Sequence, residues 1–552
     1  MNLTERRYPI GIQTFSEIIR GGYVYVDKSD LVWQLAHYAK YIFMSRPRRF
    51  GKSLLTSTLE AYFLGEKDLF EGLKIMDLEK DWEQYPVLHL DVSGAKHMSI
   101  REIRDELCRL LWEYEKLYGR EEQETTPGMR LAGVISRAYE QTNNQVVVII
   151  DEYDAPLLDV LHEDEQLQQV REVMQEFYQR LKMLEPKIKF CFITGITKFS
   201  QLSIFSTINN LVNVTMDPRF SAICGFTEQE LTTIFWKDIE QTAKAYDLNA
   251  EAMHQKLKLQ YDGYHFSEDS DEVYNPFSLL KAFQQRKVAN YWFESGTPTF
   301  LIRQMQHYKT DIMSLDKLEV PSSAFDQPTE NMKDALPLLY QTGYLTIKDY
   351  DREGEVYTLS IPNQEVRIGY AKGLLPIYTG LNEADVQIGF ALKFWRALKK
   401  GDVEQAMQEM QTFLAGVPYV EGFKQKLEEA ATKEGFYEYT MYLIFSMLNV
   451  YARTQVKVWS SECYPSLLED GRVATELGNA KCAGGRADMV VWMPDTIYVF
   501  ELKVSGTAQE ALEQIDDQGY AIPYQCDGRK VVKVGVKFNP ETRAPEEWVI
   551  AE

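Results

Sequence analysis

At 552 residues the chain is longer than one hydrophobic core can hold, so several compact units are expected. Its 45% hydrophobic and 26% charged residues are the balance of a folded globular protein and exclude a disordered or fibrous chain. A formal net charge of −22 excludes a sequence-blind nucleic-acid coat, so any polynucleotide has to meet a local basic surface.

The start, MNLTERRYPIGIQTF, has no apolar signal-type run, and no uninterrupted apolar stretch approaches the ~20 residues that cross a bilayer. A cytoplasmic protein without membrane contact is expected. Cys108, Cys191, Cys224, Cys463, Cys482 and Cys526 form no C-x-x-C pair, so neither a zinc ribbon nor a disulfide framework is legible.

In chain order, residues 38–200 alternate short apolar runs (YIFM, VLHLDV, VVVIID, FCFIT) with amphipathic stretches such as Ile100 to Tyr118, the pattern of an α/β unit with a parallel sheet. Residues 225–310 are helical and aromatic, as a lid would be. GYLTIKDY and EVYTLSIP are strand-like pieces around the turn Asp351-Arg352-Glu353-Gly354. From about 383 the pattern is helical again, through YEYTMYLIFSMLNVYA, and strands follow from Val473 onward. The expected organisation is a P-loop core at 1–225, a helical lid at 226–325, a small connecting unit at 326–380 and a second α/β unit at 381–552.

YIFMSRPRRFGKSLLTSTLEAYF runs strand, basic loop, Gly51-Lys52-Ser53, helix, which is the P-loop order. Backbone N–H groups from Arg46 through Ser53 (Pro47 apart) and the helix N-terminus attract phosphate, Lys52 reaches the β/γ-phosphates and Ser53 can ligate Mg²⁺. The usual first glycine is replaced by Arg46, followed by Pro47; Arg46, Arg48 and Arg49 add positive charge near the phosphates, and Phe50 precedes Gly51. About a hundred residues on, Val146 to Ile150 read as a buried strand with Asp151 and Glu152 at its C-terminal end, the edge where open parallel sheets bind ligands. Asp151 is placed to hold the Mg²⁺ shell and Glu152 to act as base for the attacking water. Thr194, closing KFCFIT, is either a γ-phosphate sensor or a strand-capping threonine, and Arg219 either an arginine finger or a surface ion-pairing residue.

Together SRPRRFGKSLL, VVVIIDEYDAP, FITGITKFS, GFTEQEL and YNPFS resemble the bacterial AAA-ATPase-like family over roughly residues 5–310. The resemblance implies ATP as ligand, makes the arginine-rich loop a family trait, and implies a nuclease-fold C-terminal domain.

That second unit contains Asp488, then Glu501 thirteen positions later, then Lys503. If Met493-Pro494-Asp495-Thr496 connects two antiparallel strands, Asp488 stands opposite Glu501 with Cβ atoms about 4.5–5.5 Å apart, a repulsive pairing that a divalent cation relieves. Period-two alternation puts Lys503 on the Glu501 face, with Phe500 and Leu502 on the other. A solvated structural hairpin is the alternative. The arrangement resembles the PD-(D/E)XK nuclease superfamily over roughly 380–540, with Ala487 rather than proline before Asp488. This implies a restriction-endonuclease-like fold, Mg²⁺ (or Mn²⁺) held by Asp488 and Glu501, nucleic acid as partner, and Glu438 or Glu476 as a further acid. Gln514 and Tyr520 look like the following-helix pair, though Gly519 intervenes. The last histidine is His307, which rules out an HNH, HKD or HD phosphodiesterase in this unit.

An ATP-gated nuclease is thus the leading expectation. A nucleotide-dependent signalling switch with an inactive effector module, or an ATPase acting on proteins, are the alternatives. A homo-oligomer is compatible with each.

Overall fold

The computed structural model describes residues 6–96, 98–161, 163–198, 210–295, 301, 304–305, 307–308, 310, 315, 317–328, 332–379, 384–415, 433–447, 451–458, 485–542 and 544–552. It divides into two compact units, Met1–Thr310 with Ser314–Val366, and Asp311–Met313 with Arg367–Glu552.

The first unit is built on five parallel strands, β1 (Tyr41–Ser45), β2 (Val87–Asp91), β3 (Val146–Asp151), β4 (Ile188–Gly195) and β5 (Val212–Asn213), in the order β2-β3-β4-β1-β5. β1 and β3 are buried at every position, as strands covered on both faces are. The amphipathic segment Ile100–Tyr118 is a helix that starts on a Ser99/Glu102 capping box and stops at Gly119, whose φ of 92° a side chain would resist. Helix Pro127–Thr142 begins under a Thr126 cap with proline in its first turn and ends on Asn143 in the left-handed region.

β6 (Phe226–Thr227) and β7 (Val273–Tyr274) form a small antiparallel pair. Around it, helices Glu228–Ile234, Trp236–Lys244, Ala250–Tyr261 and Pro276–Gln285 share one apolar cluster that includes Phe235, Ile239, Leu257 and Phe283. A three-stranded antiparallel sheet follows: β8 (Leu318–Val320), β9 (Thr346–Asp351) and β10 (Val356–Ser360), in the order β8-β10-β9. β9 and β10 are the two strand-like pieces expected around Asp351–Gly354, and Glu355 closes their turn at φ +52°.

The second unit takes in most of helix Gln364–Thr379, continues with helices Ala384–Lys399, Val403–Ala415 and Lys433–Met447, and then forms a five-stranded mixed sheet. Its strands, in spatial order, are β11 (Tyr451–Val458), β12 (Gly485–Trp492), β13 (Thr496–Lys503), β14 (Lys530–Phe538) and β15 (Pro545–Ala551). Only β13 and β14 run parallel, joined through helix Ala508–Asp517. The sheet corrects one expectation. Tyr451 and Ala452, read as the end of a helix, open β11, because alternating Arg453-Thr454-Gln455-Val456-Lys457-Val458 pairs along β12. Val473 and Glu476 lie outside the described residues.

Ile497 and Val499 pack with Leu512 and Ile515 of helix Ala508–Asp517, whereas Phe500 meets Phe445 of helix Lys433–Met447. The odd residues of β13 therefore face one helix, and on the other face Phe500 meets helix Lys433–Met447 while the Tyr498 hydroxyl donates to Leu398 O of helix Ala384–Lys399. Helix Ala508–Asp517 lies so close to β14 that a Cβ on Gly535 would come within 2.2 Å of the Ala508 carbonyl oxygen and 2.6 Å of the Leu512 nitrogen. Gly535→Ala is expected to cost about 1–3 kcal/mol through overpacking, read by chemical denaturation; wild-type stability would show that the helix yields freely. Among the described residues no helix is long and apolar enough to cross a membrane.

Candidate functional site

β1 ends at Ser45, and helix Lys52–Phe63 begins after Gly51, which stands at φ +94°. In the loop between them Arg49 is also left-handed, at φ +67°. Lys52 is buried, with Nζ donating to the carbonyls of Arg46 (3.1 Å) and Pro47 (3.4 Å) and lying 3.7 Å from Glu152 Oε1. At the end of β3 the Asp151 carboxyl is 2% exposed and bonded to Ser53. Burial raises its pKa, while Ser53 and Lys52 oppose the rise. Glu152 is left-handed at φ +51°, a conformation costly outside glycine, and its backbone N–H donates to Asp151 Oδ1 at 2.9 Å. With β4 between β1 and β3, Lys52, Ser53, Asp151 and Glu152 gather at one carboxyl edge of the sheet.

A cavity of about 570 Å³ opens here, within the size range of small-molecule sites. Its walls include Arg48 through Leu55, Asp91 and Glu152, and apolar side chains such as Ile10, Ile12, Phe226 and Phe277. Asp91, in register with Asp151 across β2 and β3, was not singled out from the sequence; its only signal was a carboxylate ending the strand VLHLD.

Two expected phosphate-side groups, Arg46 and Thr194, are directed elsewhere. The Arg46 guanidinium, 1% exposed, donates to the carbonyls of Ser45 (2.9 Å), Thr215 (2.7 Å) and Phe220 (3.1 Å) and lies 4.3 Å from the Phe266 ring centre. A buried guanidinium needs acceptors, and β5's neighbourhood supplies them. Arg49 donates to Tyr291 O at 2.8 Å and sits 3.9 Å over Phe277, tying the loop to the helical part. Arg48 is exposed on the cavity wall. The Thr194 hydroxyl donates to Met44 O at 2.7 Å and so fastens β4 to β1. Pro47 packs under Gly343, and Phe50 against Tyr264 and Phe266. Arg219 is held on the surface by Asp217 and the Tyr38 hydroxyl, each at 2.6 Å.

Asp154 was missed. Fully buried, it accepts from Ile196 N (3.1 Å) and from Thr197 N and Oγ1 (2.6 Å each), locking the end of β4 to the loop that carries Glu152. Burial, then the Glu152 charge, pushes its pKa up to about 6. Its one sequence signal was the third acid of DEYDAP.

In the second unit the β12–β13 register runs from Met489↔Phe500 to Trp492↔Ile497, and one residue further on Asp488 meets Glu501. Asp488 N–H donates to Glu501 Oε2 (3.4 Å), and Leu502 N–H to Asp488 Oδ2 (2.8 Å). Lys503 Nζ is 3.2 Å from Glu501 Oε1, on the expected face. Glu501 is 2% exposed; burial, then the Asp488 charge, raises its pKa to about 7 against the pull of Lys503. Glu438 is buried on helix Lys433–Met447 and Gln514 half-buried on helix Ala508–Asp517, while Tyr520 belongs to the apolar cluster beneath that helix.

Among the described residues no group of three or more His, Cys, Asp or Glu is arranged to hold a metal. Two facing carboxylates still suit Mg²⁺, which takes one or two from protein and fills the rest with water and substrate phosphate. The buried, repelling pair is a donor set whose cost a cation would offset.

A parallel sheet carrying a phosphate loop and a mixed sheet carrying a D…E-x-K hairpin define a P-loop ATPase joined to a nuclease-fold domain. Family models match accordingly, as a predicted AAA-ATPase over residues 9–205 and as the PD-(D/E)XK nuclease superfamily over residues 477–548. The chain belongs to the family of predicted AAA-ATPases carrying a C-terminal PD-(D/E)XK nuclease superfamily domain. It is similar along 99% of both chains, at 31% identity, to a protein of Azotobacter chroococcum mcd 1 described as "Uncharacterized protein in vnfD 5'region". Two solved structures show weak likeness. They are the ORC2 protein of Aeropyrum pernix (TM-score 0.23, 13% identity, 60% of this chain and 87% of that one) and the STAND protein with a tetratricopeptide repeat sensor from Pyrococcus horikoshii (TM-score 0.20, 12%, 77% and 54%). At such scores neither carries an argument.

Proposed function

We propose that the first unit binds and hydrolyses ATP and that the second cuts nucleic-acid phosphodiesters, the nucleotide gating the cut. The observation that carries the nuclease half is the pair Asp488 and Glu501 with Lys503 beside it, between the buried apolar residues Ala487, Met489, Phe500 and Leu502. A sheet built for stability alone gains nothing from opposed carboxylates.

In the first unit Lys52 holds the β/γ-phosphates, Ser53 and Asp151 hold Mg²⁺, and Glu152 takes the proton of the attacking water. The ion pair of Lys52 with Glu152 is exchanged for phosphate when ATP enters. The helices from Glu228–Ile234 to Pro276–Gln285 serve as the lid. Glu152→Gln should leave ATP affinity within about threefold of wild type while slowing hydrolysis by ~10²-fold or more, since an amide cannot act as base. Wild-type turnover in that variant would remove Glu152 from the chemistry.

In the second unit Asp488 and Glu501 would hold Mg²⁺ or Mn²⁺, which when bound polarises a phosphoryl oxygen and acidifies water. Lys503 balances charge developing on the phosphate and orients the nucleophilic water. The test is incubation of the full chain with labelled DNA and RNA, with Mg²⁺ or Mn²⁺, with and without ATP. Metal-dependent cutting that Asp488→Asn abolishes supports the reading. Absence of cutting under every condition favours the switch with an inactive nuclease-fold module.

A further inference from the structure

The net charge of −22 leaves unanswered where a polyanion could approach this chain. The register of the second sheet supplies a place. Lys457 of β11 pairs with Arg486 of β12, and Lys503 of β13 pairs with Lys537 of β14. The β12–β13 ladder runs to Met489↔Phe500; Asp488, one residue on, bonds the Glu501 carboxylate and Leu502 N, and Arg486 stands two residues before Asp488 on β12. Arg486, Lys503 and Lys537, on three neighbouring strands, thus each lie two residues along the strand from the level of the carboxylate pair.

Face and exposure agree with this. Lys503 contacts Glu501 and so shares its face. Arg486 shares a face with Asp488 by alternation, as Lys537 does with Gly535, on which helix Ala508–Asp517 rests. Arg486 is exposed, and Lys503 and Lys537 keep 22% and 29% of their side chains accessible. Among the described residues Lys503 leans on Glu501 at 3.2 Å and Lys537 on the half-exposed Glu546 at 3.5 Å, with Glu547 across from Lys537 on β15. Like charges directly opposite destabilise a sheet, so the Lys503–Lys537 pairing is a cost that folding does not explain.

We infer that Arg486, Lys503 and Lys537 form a track for a nucleic-acid phosphate backbone running across the strands, delivering one phosphate to the Asp488/Glu501 pair. Two strand spacings of about 4.8 Å give a row of about 10 Å, over which one strand of a duplex advances by about three phosphates. The track contacts charge and not base edges, so it confers affinity without sequence preference. This inference rests on reading the second unit as a nuclease, and adds Arg486 and Lys537 as substrate-positioning residues.

The experiment measures binding of fluorescent single-stranded and duplex DNA and RNA oligonucleotides to the full chain by anisotropy, without divalent metal, from 50 to 300 mM KCl. Arg486→Ala and Lys537→Ala should each weaken binding about five- to tenfold near 0.1 M salt, equally for unrelated sequences, and reduce the slope of log K against log salt by about one. Lys537→Arg should restore both, and Mn²⁺ binding should be unchanged in all three. Wild-type affinity and slope in both alanine variants would overturn the track, as would a wild-type chain that binds no oligonucleotide. The underlying reading fails separately: a wild type that binds with the predicted salt slope but never cuts keeps the track and loses the nuclease, whereas cutting with unaltered slopes does the reverse.

Discussion

Lys52→Ala is expected to raise the dissociation constant for Mg-ATP by at least about a hundredfold, measured by calorimetric titration. Lys52 enters the site from the first turn of helix Lys52–Phe63 and is held in place by two loop carbonyls. That ordering is complete before nucleotide arrives, so its charge-assisted contacts to phosphate are gained without further loss of side-chain freedom. Two such contacts at roughly 1.5–3 kcal/mol each account for the hundredfold loss. The same substitution strips Glu152 of its cation at 3.7 Å and leaves carboxylates at the end of β3 as the dominant charge, which repels triphosphate further. The fold should survive, because β1 and β3 are held by apolar burial. Unchanged affinity in this variant would sink the P-loop assignment.

The second large effect concerns the hairpin, where acidity and metal compete for the same carboxylates. In the metal-free protein Glu501 has a pKa near 7 in place of an ordinary 4.5, so between those values the folded state binds more protons than the unfolded one. Stability therefore falls as pH rises through that window, and above pH 7 the penalty levels off at roughly 3 kcal/mol. Mg²⁺ or Mn²⁺ should accordingly raise the melting temperature strongly at pH 8 and little at pH 5, where protons already neutralise the pair. Asp488→Asn should melt at or above wild type without metal at pH 8 and lose cleavage by ~10³-fold or more. Lys503→Ala should keep the metal-dependent shift in melting but lose cleavage. If Asp488→Asn melts lower and divalent ions never move the wild type, the hairpin is structural.

The two sites were legible in the sequence to different depths. Asp488 opposite Glu501 needed only a turn at Met493–Thr496 and counting outward, since pairing across a short turn is a local matter. The four parallel strands from Tyr41 to Gly195 and helix Ile100–Tyr118 were equally local, announced by apolar runs, a capping box and a terminal glycine. β11 was not, because its alternating segment follows directly on an apolar helix and gains its identity from β12, more than twenty residues later.

Residue types, spacing and short-range pairing were therefore enough to determine a phosphate loop, an acidic strand end and an opposed carboxylate pair. Only the tertiary structure decided where long side chains go. Arg46 and Arg49 belong to a basic loop by sequence, yet burial against Phe266 and the carbonyls of Thr215 and Phe220 draw the Arg46 guanidinium out of the phosphate side, while Arg49 is held over Phe277 by Tyr291 O on the cavity wall. Asp154 acquired its role from Ile196 and Thr197, just past the end of β4, and Lys537 joined Lys503 because a helix crossover returns β14 parallel to β13. A guanidinium or carboxylate settles wherever desolvation is repaid by partners, and those partners are distant in sequence, so no local pattern could name them.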